Sequence, residues 1–313
     1  MTEAVHLSLH SGSCVRCGTT EDLIAVSEFG KALCPRCYPG FLRHRIEATI
    51  RRFRMVPHGG HLVLAVSGGA DSGTLLDAMG YLRRRLNFTL TALHLDMGMG
   101  EYSAGCVEVV REQARKACVS LQVNSVREFG VTVTPVREWP ICAVCGAVRR
   151  ALLPRISRSL RADVLCTGHT LDDQLQYMLK NVISGHPTCP PPVHKPTLGY
   201  PAKAKPLIQI PDAATKIYAQ LLGIPLMEDP CPLFVPETHR FKEVFDLLEK
   251  AAPMGKLQYW QVLRKVMEPR GDEDDGEEHP CPVCGELTWM PKCPLCRLKE
   301  EQARSDPRQA PQD

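Results

Sequence analysis

A short glycine-rich segment directly after an apolar run constrains this chain most. Residues 61–66 read His-Leu-Val-Leu-Ala-Val, and residues 67–72 follow as Ser-Gly-Gly-Ala-Asp-Ser. A buried strand that passes through a glycine turn into a helix places backbone N–H groups and the positive end of the helix dipole around an anion. The spacing is neither that of a Walker loop nor that of a dinucleotide-binding loop. It predicts a phosphate site, with an ordinary turn as the alternative, and the predicted binding residues are Ser67, Gly68, Gly69, Asp71 and Ser72.

Apolar, strand-like runs alternate with helical patterns after this segment. The predicted strands are 61–66, 88–96, 120–126 and 162–167. The predicted helices are 73–86, 103–117, 146–160, 170–184, 211–222, 237–251 and 254–268. Such alternation predicts an α/β fold, an open parallel sheet with helices on both faces and right-handed crossovers.

Polar residues follow three of the predicted strands, where ligands of open parallel sheets bind. Asp96 ends the second strand, and Gly168 and His169 follow the fourth. The glycine-rich segment itself resembles the PP-loop of the ATP pyrophosphatases, which implies ATP as the ligand at this edge. Asp172 and Asp173 are adjacent carboxylates at a predicted helix N-terminus and suit Mg2+ held against phosphates. Helix capping is their alternative role.

The fifteen cysteines form a second set of patterns. The first residues lack a signal peptide and no apolar run has membrane length, so we expect a cytoplasmic protein with reduced thiols. Two quartets of paired cysteines then predict two structural zinc sites rather than disulfides. Their ligands are Cys14, Cys17, Cys34 and Cys37 near the start of the chain, and Cys281, Cys284, Cys293 and Cys296 near its end.

A third pair, Cys142 and Cys145, lacks two further ligands nearby. Three thiolates would leave one position open, which suits a 4Fe–4S cluster. From the residues alone, the third ligand is either Cys231, in an Asp-Pro-Cys-Pro segment, or Cys189, in a proline-rich segment.

The composition divides the chain into parts. The formal net charge is only +3, but arginines cluster at 43–54 and at 149–161, where they indicate either an RNA-binding surface or a solvated helix face. The predicted parts are a zinc module (1–40), a basic helical linker (41–58), the ATP pyrophosphatase domain (59–268), an acidic linker (269–280), a second zinc module (281–300) and a polar tail (301–313).

Over most of its length the chain resembles the TtuA-type tRNA 2-thiolation enzymes and the eukaryotic cytoplasmic thiouridylases. The resemblance is carried by the two cysteine quartets and by residues 67–72, 96–102, 142–146, 167–173 and 231–232. It implies a cluster on Cys142, Cys145 and Cys231, and ATP-dependent adenylation of a tRNA uridine at C2 followed by sulfur delivery. It also implies a homodimer, and a sulfur donor that is often a ubiquitin-like thiocarboxylate carrier.

One position departs from this family. Members commonly have a lysine four residues after the second cluster cysteine, and this chain has Arg149, which stays protonated and cannot act as a base. The expected catalytic residues are Asp71, Arg149, Asp172 and Asp173. The alternatives are another PP-loop RNA-modifying activity, such as 2-thiocytidine formation or base ligation, and a non-catalytic zinc-stabilised RNA-binding protein.

Overall fold

A computed structural model of the chain describes residues 12–26, 29–134, 136, 139–197, 199–233, 240–267, 279–288 and 290–305. Its strands are β1 (Ile24–Val26), β2 (Lys31–Leu33), β3 (His61–Ala65), β4 (Thr89–Asp96), β5 (Ser120–Ser125), β6 (Val164–Cys166), β7 (Val193–His194), β8 (Ala202–Ala204), β9 (His279–Pro280) and β10 (Leu287–Thr288). Its helices are α1 (Tyr38–Arg52), α2 (Ala70–Leu86), α3 (Gly100–Lys116), α4 (Ile141–Ser159), α5 (Leu171–Ile183), α6 (Asp212–Leu221), α7 (Arg240–Ala251), α8 (Gly255–Val266) and α9 (Pro294–Ser305).

The central sheet has six strands in the order β5-β4-β3-β6-β8-β7. All neighbours are parallel except β7, which pairs antiparallel with β8 at the edge. The chain runs outward from β3 through β4 to β5 and then returns to the other side of β3 with β6. The order therefore reverses between β3 and β6, and the crevice at their carboxyl ends is the expected ligand site.

The sheet is covered on both faces, as predicted. Successive residues of β3 point to opposite sides: Leu62 and Leu64 belong to one buried cluster, and Val63 belongs to the other. The first cluster includes residues of α1, α2, α5 and α6, and the second includes residues of α4 and α9. Burial on both faces explains why β3 is a continuous apolar run after its first residue rather than an alternating one.

The four predicted strands and seven predicted core helices are all present among the described residues, with shifted ends. Strands β7 and β8 were not predicted, because two or three residues inside a proline-rich stretch carry no readable alternation. Residues 234–239, which include the start of the predicted 237–251 helix, lie outside the described residues.

The boundaries of the predicted parts differ in several places. Helix α1 begins at Tyr38, inside the segment assigned to the first zinc module, and α9 continues to Ser305, inside the segment assigned to the polar tail. Strand β9 occupies the end of the predicted acidic linker, whose residues 269–278 lie outside the described residues, as do 306–313. Among the helices that the structure describes, none is long and apolar enough to cross a membrane.

Candidate active site and metal centres

The glycine-rich segment joins β3 to α2 as a closed loop. The amide of Ser67 donates to the Ser72 hydroxyl at 3.1 Å, and the two hydroxyl oxygens are 3.2 Å apart. Gly68 has φ +89°, a left-handed conformation that favours glycine. The first amides of α2 lack intrahelical acceptors and lie at the positive end of the helix dipole. The loop therefore has the geometry of an anion site.

Glycine is also required where β6 approaches this loop. A Cβ on Gly168 would lie 3.1 Å from both the nitrogen and the Cα of Ser72. Neither backbone atom can move without opening the start of α2. Gly168 thus allows the carboxyl ends of β3 and β6 to meet at the reversal of strand order.

Asp71 lies at the start of α2 beside other carboxylates. Its Oδ1 accepts a short hydrogen bond from the Thr215 hydroxyl. Burial raises the pKa of Asp71 to about 6, the charge of Asp212 adds to that rise, and the Thr215 hydrogen bond opposes it. A carboxylate in this environment is destabilised until a cation or a proton neutralises it.

Asp173 is the carboxylate of α5 that borders Asp71. Its Oδ2 accepts from the Thr170 amide at 3.0 Å, and the Thr170 hydroxyl accepts from the Asp173 amide, which forms a capping box. Its Oδ1 accepts from Lys242 Nζ at 2.7 Å. Lys242 also pairs with Asp212 at 2.7 Å, so this one ammonium neutralises two carboxylates of the cleft.

Asp172 has a different environment from its neighbour. It is 2% exposed, and its Oδ1 accepts from Lys256 Nζ at 2.6 Å while its Oδ2 accepts from the Asp212 amide at 2.8 Å. Lys256 is 3% exposed and lies in the first turn of α8. Both oxygens of Asp172 therefore hold α6 and α8 against α5, and the two adjacent aspartates do not act as one pair. This placement argues against Asp172 as a metal-facing catalytic residue.

The carboxyl end of β4 supplies a self-contained turn. Asp96 accepts from the Gly98 amide at 2.8 Å. His94 is buried, and its Nδ1 lies 2.9 Å from the carbonyl oxygen of Val66, immediately before the loop. Burial lowers the pKa of His94, and the nearby charge of Arg149 lowers it further. A neutral His94 that donates to Val66 fixes the last residue before the phosphate loop.

His169 follows β6 at the same edge of the sheet. Its Nδ1 lies 2.8 Å from the Thr167 hydroxyl, and the residue is exposed. The predicted nucleotide residues at 67–72, 96, 168 and 169 therefore lie at the carboxyl ends of three adjacent strands, β4, β3 and β6.

Cys142 and Cys145 lie in the first turns of α4. Burial raises the pKa of Cys145, Arg149 one turn later lowers it, and the charges of Cys231 and Cys142 raise it. The Cys142 thiol also donates to the carbonyl oxygen of Leu233 at 3.5 Å, two residues after Cys231. All three cysteines are half-buried. The segment that carries Cys231 therefore lies against the start of α4.

Cys189 lies elsewhere in the fold. Its sulfur is buried 3.7 Å from the sulfur of Met178, within the cluster on the opposite face from Cys145. The structure gives Cys189 the role of a small buried side chain. Cys106 is also buried, and its thiol lies beside the Tyr102 hydroxyl and close to the charges of Arg149 and Cys231.

Each terminal quartet brings its four sulfurs within 4.8 Å of one another. In both modules a glycine with positive φ follows the second cysteine, and its amide donates to the carbonyl of the first: Gly18 to Cys14 at 2.8 Å and Gly285 to Cys281 at 2.9 Å. Four converging thiols at this spacing are the donor set of a structural Zn2+ site.

Both modules are anchored to the central domain. The Tyr38 hydroxyl donates to the carbonyl of Ala214 at 3.1 Å. Glu286 accepts from Arg158, at 2.5 Å, and from the Tyr200 hydroxyl, at 2.7 Å. Part of the arginine cluster at 149–161 therefore serves to dock the second module.

The arginines in and just after α1 have two kinds of environment: some pair with carboxylates, and others are exposed. Arg43 pairs with Asp77 at 2.8 Å and donates to the Tyr218 hydroxyl, and Arg51 pairs with Glu47 at 2.9 Å. Exposed Arg52 and Arg54 extend the basic surface beyond these pairs.

Comparison with known proteins bears on this arrangement. The sequence matches ATP_bind_3, a PP-loop domain, over residues 42–231, which is more than half of the chain. This chain belongs to the PP-loop ATP_bind_3 family. Curated relatives of this chain include tRNA 2-thiolation proteins and sulfurtransferases.

Two curated relatives, one bacterial and one algal, match nearly the whole chain. The tRNA-5-methyluridine(54) 2-sulfurtransferase of Thermus thermophilus is 29% identical, over 91% of this chain and 90% of its own length. The cytoplasmic tRNA 2-thiolation protein 1 of Chlamydomonas reinhardtii is 27% identical, over 94% of this chain and 86% of its own length.

A solved structure shares the fold of this PP-loop protein. The U34-tRNA thiolase NcsA from Methanococcus maripaludis, solved with its [4Fe-4S] cluster, superposes with a TM-score of 0.76 at 21% identity. The match covers 92% of this chain and 95% of that one.

Sequence reasoning missed four polar residues of the PP-loop protein's cleft: Asp212, Thr215, Lys242 and Lys256. Asp212 follows Pro211 at the start of a predicted helix, so its place at a helix N-terminus was readable from the sequence. Its closeness to Asp71 was not readable, because the two residues are far apart in the chain. Lys242 and Lys256 belong to helices far along the chain, and no spacing signal connects them to the loop.

Proposed function

We propose that this protein is an ATP-dependent tRNA sulfurtransferase that adenylates the C2 oxygen of a uridine and replaces that oxygen with sulfur. The proposal rests on the family and on one observation, the proximity of the phosphate loop to the cysteine pair. His94 is hydrogen-bonded to Val66, the residue before the loop. The charge of Arg149 lowers the pKa of both His94 and Cys145, so the loop and the cysteine pair lie near the same arginine. An activation site and a sulfur site that share a neighbourhood can serve one substrate atom.

The first half-reaction needs a phosphate cradle and a divalent cation. Backbone amides at the start of α2 would bind the phosphates of ATP, together with the hydroxyls of Ser67 and Ser72. Asp71 and Asp173 offer oxygen ligands of the kind that Mg2+ prefers, and the raised pKa of Asp71 is that of a carboxylate short of a cation. Asp172 would support them through α6 and α8.

The chemistry balances without an added oxidant. The uridine C2 oxygen attacks the α-phosphorus of ATP, pyrophosphate leaves, and the uridine loses its N3 proton. Sulfur at the oxidation level of sulfide then adds to C2, and AMP leaves with the original oxygen. Because the first step converts a poor leaving group into AMP, the two half-reactions are separable by mutation.

Cys142, Cys145 and Cys231 would hold a 4Fe–4S cluster. Three half-buried thiols, of which Cys231 and Cys142 both act on the pKa of Cys145, fit the three-thiolate ligand set of that group. When bound, such a cluster supplies an iron without a protein ligand, at which sulfur can be presented. Arg149 would hold a phosphate or the adenylate by charge, since a guanidinium cannot accept a proton.

The remaining assignments concern partners. The exposed arginines of α1 and α4 would bind tRNA phosphates, whose contacts carry most of the salt-dependent affinity. A thiocarboxylate at the end of a ubiquitin-like carrier is the sulfur donor we propose, because it delivers sulfur without a change in oxidation level. We further propose that the protein is a homodimer and that it acts in the cytoplasm, where thiols stay reduced.

Zinc analysis tests the terminal modules. We expect two zinc ions per chain to remain after exposure to air has destroyed the iron–sulfur cluster, because each quartet is complete without iron. Metal analysis of air-treated protein measures this directly, and Cys17→Ala together with Cys284→Ala should release both ions. Iron in the quartets, or no metal, would contradict the assignment.

The nucleosides of bulk tRNA test the reaction. Cells that lack this protein should lose one 2-thiouridine derivative, and the native chain should restore it. Cys142→Ala, Cys145→Ala and Cys231→Ala should each fail to restore it and lose the visible absorbance of the cluster, whereas the matched control Cys189→Ala should keep both. Because the curated relatives include enzymes of position 54, loss of 5-methyl-2-thiouridine rather than another derivative would identify the modified position. Loss of 2-thiocytidine would instead favour another PP-loop activity, and an unchanged profile would contradict the proposal.

A further inference from the structure

A buried glutamine joins the phosphate loop to the segment that leads to Cys231. Gln113 lies in α3 and is 3% exposed. Its Nε2 lies 2.7 Å from the carbonyl oxygen of Pro225 and 3.4 Å from that of Gly68. The Gly68 carbonyl also accepts the amide of Met227 at 3.0 Å. One loop carbonyl and one side chain therefore fix residues 225–227, and Cys231 follows four residues later.

Only the nitrogen of the Gln113 side-chain amide makes hydrogen bonds among the described residues. Its Oε1 is buried and has no hydrogen-bond partner among the described residues. A buried carbonyl without a partner costs free energy, and an apolar side chain of the same shape would avoid that cost. The two contacts of Nε2 are therefore the distinctive contribution of glutamine at this position. Both neighbours are carbonyl oxygens, so only a donor satisfies them.

Two glycines make room for this connection. A Cβ on Gly73, in the first turn of α2, would lie 2.8 Å from Gln113 Nε2. A Cβ on Gly105, in α3, would lie 3.2 Å from the terminal methyl of Met227. The start of α2, the middle of α3 and the segment at 225–227 are thus packed in direct contact behind the phosphate loop.

We infer that Gln113 is a positioning residue that couples occupancy of the phosphate loop to the position of the Cys231 segment. A phosphate that orders the amides around Gly68 also orders the Gly68 carbonyl, since both belong to the same peptide groups. That carbonyl and Gln113 then hold residues 225–227 in one arrangement. The inference rests on the proposed function for the role of Cys231, but the physical connection does not require a bound cluster.

Coupling of this kind is reciprocal. If phosphate binding restrains the Cys231 segment, a restrained segment must strengthen phosphate binding by the same factor. In the thiolation reaction this would favour the cluster-competent arrangement only when ATP or pyrophosphate occupies the loop. Gln113 touches neither reactant, so its variants should alter this dependence rather than abolish either site.

Alkylation of Cys231 measures the coupling. The full chain with both zinc modules, before cluster assembly, is treated with iodoacetamide with and without magnesium pyrophosphate, and peptide mass spectrometry follows Cys231. Pyrophosphate fills only the phosphate site, which limits direct shielding of the thiol. We expect it to slow alkylation of Cys231 about fivefold or more in the native chain. Exposed Cys118 is the reference thiol in the same molecule and should not respond.

Variants then separate Gln113 from general stability. Gln113→Met keeps the shape without the donor, and Gln113→Glu presents an oxygen to two carbonyls; in both, the effect of pyrophosphate on Cys231 should fall to near unity. Gln258→Met, at an exposed position of α8, is the matched control and should behave as the native chain. If the Gln113 variants fold poorly, Gly73→Ala retains Gln113 but displaces its Nε2, and it should also weaken the response.

The outcomes are decisive in either direction. An unresponsive Cys231 in the native chain, or a response that persists unchanged in Gln113→Met and Gly73→Ala, would overturn the inference. Neither result concerns tRNA thiolation, so a failure here is distinguishable from a failure of the proposed function. A second readout is the lifetime of the cluster absorbance in air, which pyrophosphate should prolong in the native chain but not in Gln113→Met.

Discussion

Replacing Asp71 with Asn is expected to abolish AMP formation and, at the same time, to stabilise the fold. Asn keeps the hydrogen bond from Thr215 but removes the charge that would attract Mg2+. Burial and the Asp212 charge raise the pKa of Asp71 from 3.8 to about 6, which corresponds to roughly 2 to 3 kcal/mol of penalty on the charged form. The carboxylate that we propose for Mg2+ binding is therefore one whose charge destabilises the fold when no cation is bound.

The dependence on pH has a definite sign. A folded-state pKa above the unfolded value means that the native state binds more protons between the two values, so the free energy of unfolding falls as pH rises through that window. The stability gained by Asp71→Asn should be full above about pH 6 and should shrink as pH falls toward about 4. Thermal unfolding without Mg2+ or ATP, compared at about pH 8 and about pH 5, measures the difference.

Two measurements complete this test. AMP release in the presence of tRNA should be lost in Asp71→Asn, while the cluster absorbance and the zinc content should match those of the native chain. Asp77→Asn is the matched control, because Asp77 lies in the same helix but pairs with Arg43 and Tyr218 outside the cleft. It should retain AMP release. A variant at Asp71 that is active, or that is less stable at high pH than the native chain, would refute the role we give this carboxylate.

The part of this site that the sequence predicts is the part formed by local motifs. The loop at 67–72, the two cysteine quartets and the pair Cys142 and Cys145 each lie within one stretch of chain, so their spacing alone limits their geometry. The parallel sheet was predictable for a related reason, since short strand-like runs such as the apolar β3 alternate with helical patterns along the chain. Strands β7 and β8 were not, because so few residues carry no period.

The part that the sequence could not predict depends on distant segments meeting. Asp172 and Asp173 are adjacent in sequence and equivalent as motif residues, yet α6, α7 and α8 give them different partners. Lys242 and Lys256 decide this difference, and both lie more than one helix away in the chain. The same limit applies to Cys231 and Cys189, because only the folded chain shows that residues 231–233 lie against the start of α4 while Cys189 packs against Met178.

Lys256 provides the largest stability effect we expect. Its ammonium and the Asp172 carboxylate are 2.6 Å apart, and their side chains are 4% and 3% exposed. Removing one member of a buried pair leaves an uncompensated charge, which typically costs about 3 to 5 kcal/mol. We therefore expect Lys256→Met to lower the melting temperature strongly. Lys265→Met, in the last turn of the same helix, is the control and should change it little.

The double variant Lys256→Met with Asp172→Asn separates support from catalysis. Asn at 172 can still accept from the Asp212 amide, and the carboxylate that Lys256→Met alone would leave buried and unpaired is removed. Asp246, the other partner of Lys256, has a side chain that is 55% exposed, so most of the lost stability should return. If Asp172 acts only by holding α6 and α8, the double variant should also regain much of the AMP-forming activity. Recovery of stability without recovery of activity would mean instead that the Asp172 charge itself acts on the nucleotide. In that case the paired aspartates would work together, as their adjacency in the sequence first suggested, despite the buried position of Asp172.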